Sequence, residues 1–291
     1  MVNIFYILKR HHWDIGLIYQ QSDDTFLDVS KIHIIKNPYR KTTWFADPFI
    51  LDITEDSVIL LVEEFTYSIN RGRIAKLTVD RKRDTITKCE ILLDLETHLS
   101  FPAIIRNKGS IYVYPENSAS GNSSLYLYQN GKLEKAGLLS HEPLTDAVIE
   151  YAMNAPIMFS TKVPTPNGYE LGIYRSDDYV GEYKHVQTIK FEDRVARNAG
   201  EVFEKDGMLI RPAQIFQGKY GYGMGICFQK VNEVADNISF DEICRIYPPE
   251  GYDGMHTFNQ YKGVAVVDLR KYNHPAVHSL LSKIKNIIHK R

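Results

Sequence analysis

Cysteine is scarce: three in 291 residues, Cys89, Cys227 and Cys244, far apart and without a CxxC pair. That excludes a disulfide framework and a cysteine-type zinc site, and an odd count suits a reducing compartment. Net charge is scarce as well. The 35 Lys and Arg residues are balanced by 36 Asp and Glu, leaving −1, so no basic footprint for nucleic acid is present. No apolar run approaches the roughly 20 residues that span a bilayer. The apolar run in Met1–Arg10 is too short for a signal peptide, and its charge follows the run. These absences together read as a cytoplasmic protein. There is no HExxH and no serine nucleophile elbow. The glycine-rich run Gly218–Gly225 lacks the GK[ST] of a phosphate loop, so we read it as a tight strand inside a sheet. Helical periodicity is nearly missing too.

What is present is an ordinary globular composition, 44% hydrophobic and 24% charged, enough to bury a core. Aromatics reach 12%, with 19 Tyr and 13 Phe, which suits β-strands. Short β-branched and aromatic runs recur, such as Ser57–Phe65, Gly72–Val79, Gly109–Tyr114 and Gly207–Arg211. Asn130-Gly131, Asn167-Gly168, Asp206-Gly207 and Lys262-Gly263 mark hairpin turns between them.

The runs repeat. Five segments share one grammar, opening at Asp47, Phe101, Asp146, Glu201 and His256, at steps of 54, 45, 55 and 55 residues. Each step suits one four-stranded propeller blade. The last repeat is short of a strand, which the strand-like N-terminal stretches Val2–Leu8 and Trp13–Tyr19 can supply. The expected architecture is an all-β, five-bladed β-propeller over residues 1–274, closed by the N-terminus. Residues 275–291 form the one clear amphipathic pattern, with Val277, Leu280, Leu281, Ile284, Ile287 and Ile288 on one face. We expect a short C-terminal helix there, docked on the propeller or touching a membrane surface through its basic residues.

In a propeller the innermost strands face a central channel. The repeat places Asp47, Asp146, Glu201 and His256 at one end of it. The second strands add Glu63 or Glu64, Glu116 and Arg211. Two carboxyl groups, one donating a proton and one acting as base or nucleophile, are what glycosidic cleavage needs. Clustered carboxylates raise one another's pKa, which keeps one protonated near neutrality. Structural roles compete: Asp47 and Asp146 as backbone acceptors, His256 as a satisfied core histidine. A buried Arg211 needs an anion, most simply Glu201 or Asp146, with a substrate anion as the alternative. Asn117 opens the polar loop Asn117–Ser124, which either bonds sugar hydroxyls or is a solvated hairpin loop.

Phe45-Ala-Asp-Pro-Phe49, Val62-Glu-Glu-Phe65, Gly72-Arg-Ile74, His98–Ala103, Tyr114–Asn117, Arg211–Gln214 and Met255–Asn259 form an ordered series. It resembles the propeller module at the N-terminus of plant glucosamine inositolphosphorylceramide transferases, itself similar to the fold of glycoside hydrolase family 43. The resemblance covers about residues 45–270. By that resemblance Asp47 is the base, Asp146 the orienting carboxylate and Glu201 the acid. The module usually carries a basic residue after Ala-Arg-Pro-Ala-Gly, whereas this chain reads Ala196-Arg-Asn-Ala-Gly-Glu201. Glu64 or Glu116 is therefore the alternative acid. The expected activity is cleavage or transfer of a glycosyl unit at the channel mouth. The alternatives are a transferase or modifying enzyme of surface-polysaccharide or glycolipid synthesis, and a non-catalytic glycan-binding module. Catalytic candidates are Asp47, Asp146, Glu201 and Glu116; substrate-binding candidates are Glu64, Arg211, His256 and Asn117. The expected partner is a glycan or other sugar-containing substrate, with no nucleic acid. No cofactor is expected beyond a structural Ca²⁺ in the channel.

Overall fold

The computed structural model describes residues 11–19, 25–150, 153, 155–162, 168–216, 221–234 and 236–273. The chain opens on β1 (His11–Ile18) and β2 (His33–Ile34). Blade one follows as β3 (Thr43–Ile53), β4 (Ser57–Thr66), β5 (Arg71–Asp80) and β6 (Thr85–Leu93). Blade two is β7 (Ser100–Asn107), β8 (Ser110–Glu116), β9 (Ser123–Gln129) and β10 (Lys132–Ser140). Blade three is β11 (Leu144–Glu150), β12 (Ile157–Lys162), β13 (Glu170–Arg175) and β14 (Lys184–Lys190). Blade four is β15 (Phe203–Lys205), β16 (Met208–Gln214), β17 (Ile226–Val234) and β18 (Asn237–Ile246). The last strands are β19 (Phe258–Tyr261) and β20 (Val264–Tyr272). Every sheet has four antiparallel strands, and the fifth runs β19-β20-β1-β2.

The expected five-bladed propeller is thus the fold, and both chain ends share its last blade. β1 pairs with β20 from His11↔Tyr272 to Ile18↔Ala265, which removes an exposed edge. The strand expected at Trp13–Tyr19 is β1, and β2 is a second N-terminal contribution. Val2–Leu8 and the expected helix at 275–291 lie outside the described residues. Among the described residues, no helix is long and apolar enough to cross a membrane.

The burial pattern follows from position in the blade. The inner strand β3 is buried at nine successive positions, because neighbouring blades cover both its faces. The third strand β5 alternates more, with Leu77 and Val79 inside and Lys76 and Thr78 partly exposed. The core therefore lies between blades, as where Phe49 meets Phe101 edge-on at 4.9 Å. Hairpins turn where the sequence marks them: Asn130-Gly131, Asp206-Gly207 and Lys262-Gly263 all have positive φ at both residues, matching the strand twist. Asn167 lies outside the described residues.

One irregularity shapes the channel. The inner strands of blades one to three break register at one equivalent place, between Ala46/Phe49, Ser100/Ala103 and Thr145/Val148. The first residue of each break has a left-handed backbone: Asp47 at φ 49°, Phe101 at 44° and Asp146 at 46°. Such bulges re-aim side chains and cost strain that the surroundings must offset. In blade four Gly200 comes closest to this place, just past Asn198, which bridges to Ala213. A Cβ there would lie 1.9 Å from the Phe258 carbonyl oxygen. Glu201 is thus one residue beyond the position the repeat assigned to it.

Candidate functional site

The bulges deliver side chains from several blades to the end of the channel where the inner strands begin. Asp47 Oδ2 accepts the Phe101 N–H at 3.1 Å, and Oδ1 accepts the Thr257 hydroxyl at 2.9 Å. His256 Nε2 lies 3.6 Å from Asp47 Oδ1. The other face of this imidazole belongs to Asp268, whose Oδ2 is 2.6 Å from His256 Nδ1. Asp268 also accepts the Asp47 N–H at 3.0 Å and the His256 and Thr257 N–H groups, both at 3.0 Å. It is fully buried, as a carboxylate can be when its lone pairs are filled. The His256 ring stacks on Trp13 at 4.0 Å and meets the edge of Tyr222 at 5.2 Å.

A second group adjoins the first. The Asp146 N–H donates to Glu116 Oε2 at 3.2 Å. Arg197 Nε donates to Asp146 Oδ2, Nη2 reaches Oδ1 at 3.3 Å, and Nη2 lies 3.6 Å from Glu116. Gln214 Nε2 donates to Asp146 Oδ2 at 2.8 Å. The guanidinium also lies 5.3 Å from the Tyr222 ring centre. Glu63 on β4, opposite Ala46, and Glu116 on β8, opposite Ser100, occupy equivalent second-strand positions.

Burial and crowding decide the protonation states. Burial pushes Asp47 up to about 6; the His256 charge opposes this, and Asp146 and Asp268 reinforce it. Glu63 is pushed well above the usual carboxylate range by burial and then by Asp47, Glu116, Asp268 and Asp146. Glu116 is raised likewise, by burial and Asp146, against the pull of Arg197. Burial opposes charge on His256, yet Asp268 and Asp47 outweigh it and raise its pKa. Asp268 ends below the usual range: burial raises it, but the His256 charge and the N–H donors prevail. One end of the channel therefore holds ionised and protonated carboxyl groups side by side.

Several expected site residues lie elsewhere or are already engaged. Glu64 points away from Glu63, as strand alternation requires, into a bidentate pair with Arg73 at 2.9 and 3.1 Å, with the Thr66 hydroxyl donating to it. Arg211 is fully buried but pairs with no carboxylate among the described residues, contrary to expectation. Nε donates to Asn198 Oδ1 at 2.6 Å, and Nη1 donates to Gln229 Oε1 at 2.5 Å and to the Val195 carbonyl at 3.3 Å. Nη2 donates to the Ala196 carbonyl. With only neutral oxygens around it, burial lowers its pKa to about 9. Its work is to fix the 195–198 segment, which presents Arg197 to Asp146. Asn117 is buried, with no partner for Oδ1 among the described residues; Ser120 Oγ donates to the Asn117 carbonyl at 2.8 Å, and Ser123 Oγ reaches out of the loop to the Glu142 carbonyl at 3.3 Å. Residues 221–225 form a turn before β17, not the expected strand. Gly223 there sits against His256, where a Cβ would come within 2.8 Å of the His256 Cβ.

Glu201 does not join the cluster. It faces Arg106 and the Ile104 N–H of blade two, and burial pushes its carboxyl up to about 7. The unfolded value is 4.5, so protonation favours the folded state. The stability this group contributes is complete below about pH 4.5 and lost as pH rises through about 7. Glu201→Gln should therefore flatten the fall of Tm between about pH 5 and 8. Asp47, Glu63 and Glu116 act in the same direction, so some slope remains. Thermal denaturation at a series of pH values checks this, and an unchanged slope would contradict it.

Asp47, His256 and Asp268 each offer a ligand atom within 4.8 Å of the others. The carboxylate oxygens already accept from protein N–H and O–H groups and His256 Nδ1 faces Asp268, and two carboxylates with an imidazole are not the oxygen cage that Ca²⁺ takes. The set as it stands is a hydrogen-bonded cluster centred on Asp268. Sequence reasoning missed Asp268, Arg197, Tyr222 and Trp13. Asp268 alone had a signal, a carboxylate inside the apolar run Val264–Leu269.

The same fold occurs in known proteins. A family GH43 β-1,3-galactosidase superposes with a TM-score of 0.53 at 7% identity, over 68% of this chain and 75% of that one. A GH43 β-xylosidase/α-arabinofuranosidase from a compost metagenome gives 0.53 at 10% identity, over 75% and 83%. A family 117 glycoside hydrolase from Zobellia galactanivorans gives 0.52 at 10% identity, over 80% and 86%. At such identities the likeness is one of fold. By sequence, the glucosamine inositolphosphorylceramide transferase 1 proteins of Oryza sativa subsp. japonica and Arabidopsis thaliana are each 29% identical, over 192 and 191 residues. The match covers 62% of this chain and 25% of each relative, so the chain spans about a quarter of their length. The family model for the N-terminal part of those proteins matches residues 29–269, which takes in blades one to four, part of the fifth and all the carboxylates above. The chain accordingly belongs to the family described as glucosamine inositolphosphorylceramide transferase 1, N-terminal.

Proposed function

We propose that the chain is a carbohydrate-active protein that acts on a glycosidic bond at the Asp47 end of the channel. One observation carries this reading: Asp47, Glu116 and Asp146, from three consecutive blades, gather in one group, Asp47 and Asp146 buried and Glu116 largely so, each close enough to shift another's protonation. Asp47, near pH 6 and held by Thr257 and the Phe101 amide, suits a general base. Glu116, kept protonated by burial and Asp146, suits the acid in place of Glu201. Asp146, fixed by Arg197 and Gln214, orients the acid through its own amide. The names of the structural neighbours, β-galactosidase and β-xylosidase among them, support a sugar-containing substrate.

The test is a turnover screen on aryl glycosides and oligosaccharides with the parent chain and Asp47→Asn. Loss of a general base should cut kcat by roughly 10²–10⁴-fold. The parent rate should rise through about pH 6 as Asp47 ionises and fall again as Glu116 loses its proton. Full activity in Asp47→Asn would overturn the assignment. The relatives' name favours a second reading, glycosyl transfer rather than hydrolysis. It predicts turnover only when a nucleotide sugar and an acceptor glycan are supplied together.

A further inference from the structure

We propose that a groove at the opposite end of the channel binds a small, sugar-sized organic anion. The groove lies between blades one and two, encloses about 660 Å³, and is bordered by Tyr261 of blade five. That volume suits a small ligand. It opens where the inner strands end, at Leu51 and Arg106, away from Asp47.

Its charge is unbalanced. Lys76 and Lys88 share a single carboxylate, Glu90, at 3.1 and 3.0 Å. Asp52, the other acid of the lining, is 3.6 Å from Lys262, which lies outside it. Arg106 is held in place: Nη2 donates to the Ile50 and Leu51 carbonyls at 2.6 and 3.2 Å, and the guanidinium covers the Tyr261 ring at 4.2 Å. The carboxyl facing Arg106 from within the channel is Glu201. Lys76 is largely withdrawn from water, its side chain 16% exposed. A partly desolvated cation attracts an oxyanion more strongly than a surface lysine does. The Tyr128 ring and the hydroxyls of Thr78 and Ser110 supply a ring face and hydrogen-bonding groups for a hydroxylated body. A phosphate or carboxylate on a sugar ring combines both kinds of contact.

Isothermal titration of the purified chain with glucose 6-phosphate, glucuronate, inorganic phosphate and glucose tests this. At least one of the two sugar anions should bind saturably, more tightly than inorganic phosphate, while glucose should not bind. Which one binds tells phosphate from carboxylate recognition. Added salt should weaken the binding. Lys88→Gln, an exposed change, and Lys76→Gln should each raise Kd about tenfold, with circular dichroism confirming the fold. The proposal is overturned if neither sugar anion binds up to about 10 mM, if glucose or inorganic phosphate binds as well as they do, or if both lysine variants match the parent. It is also overturned if Asp47→Asn abolishes the binding, because the ligand would then sit at the other end. Since no turnover is measured, this result and the test of Asp47 as a base fail separately.

Discussion

Asp268→Ala is expected to cost about 3–5 kcal/mol of stability, the range for breaking a buried charge pair, and to lower Tm by on the order of 10 °C. The reason is the number of donors that depend on one side chain. The Asp47, His256 and Thr257 amides and the His256 ring all end on its two oxygens. Alanine strands three buried N–H groups and removes the main partner of the His256 charge. It also frees the amide of Asp47, whose left-handed backbone at φ 49° is held from that side. Asp268→Asn should fall between, because one amide oxygen can keep part of the set. Differential scanning calorimetry decides the matter. An alanine variant melting within about 2 °C of the parent would show that the Asp268 contacts are not what closes the last blade onto the first.

Glu116→Gln should lower kcat by roughly 10²–10⁴-fold while leaving Tm nearly unchanged. Glutamine keeps an oxygen for the Asp146 N–H and loses only the transferable proton. The contrasting variant, Glu201→Gln, should keep most of the activity, because its carboxyl faces Arg106 and Ile104. Leaving groups that need no protonation, such as nitrophenolates, should restore much of the Glu116→Gln rate. The reverse result, with Glu201→Gln inactive and Glu116→Gln active, would return the acid to blade four. Both rates are to be read at the optimum of the parent's pH profile, where Asp47 is ionised and Glu116 protonated.

Much of this was legible from the linear chain. The repeat at Asp47, Phe101 and Asp146 reads as the openings of three strands; those residues lie inside β3, β7 and β11, each as the first residue of an equivalent register break. The Asn-Gly, Asp-Gly and Lys-Gly pairs located hairpins, because a two-residue turn requires positive φ. The count slipped at Glu201, since Gly200 fits against the Phe258 carbonyl where a side chain cannot. It also could not choose between Glu63 and Glu64, as only the pairing register decides which neighbour faces the channel. Arg211 illustrates a different limit. A buried guanidinium implied an anion, yet carbonyl and amide oxygens suffice for it.

By itself the sequence determined the five blades, their closure by the N-terminus, and a surplus of carboxylates at one end of the channel. These follow from local periodicity and spacing, which each segment carries alone. Only the tertiary structure decided which carboxylates act together. Asp268 meets Asp47 across 221 residues, and Arg197 meets Asp146 across 51. Blade packing and ring closure bring such groups into contact, and pKa depends on that contact: the charge of one blade falls on the acid of another where burial weakens solvent screening.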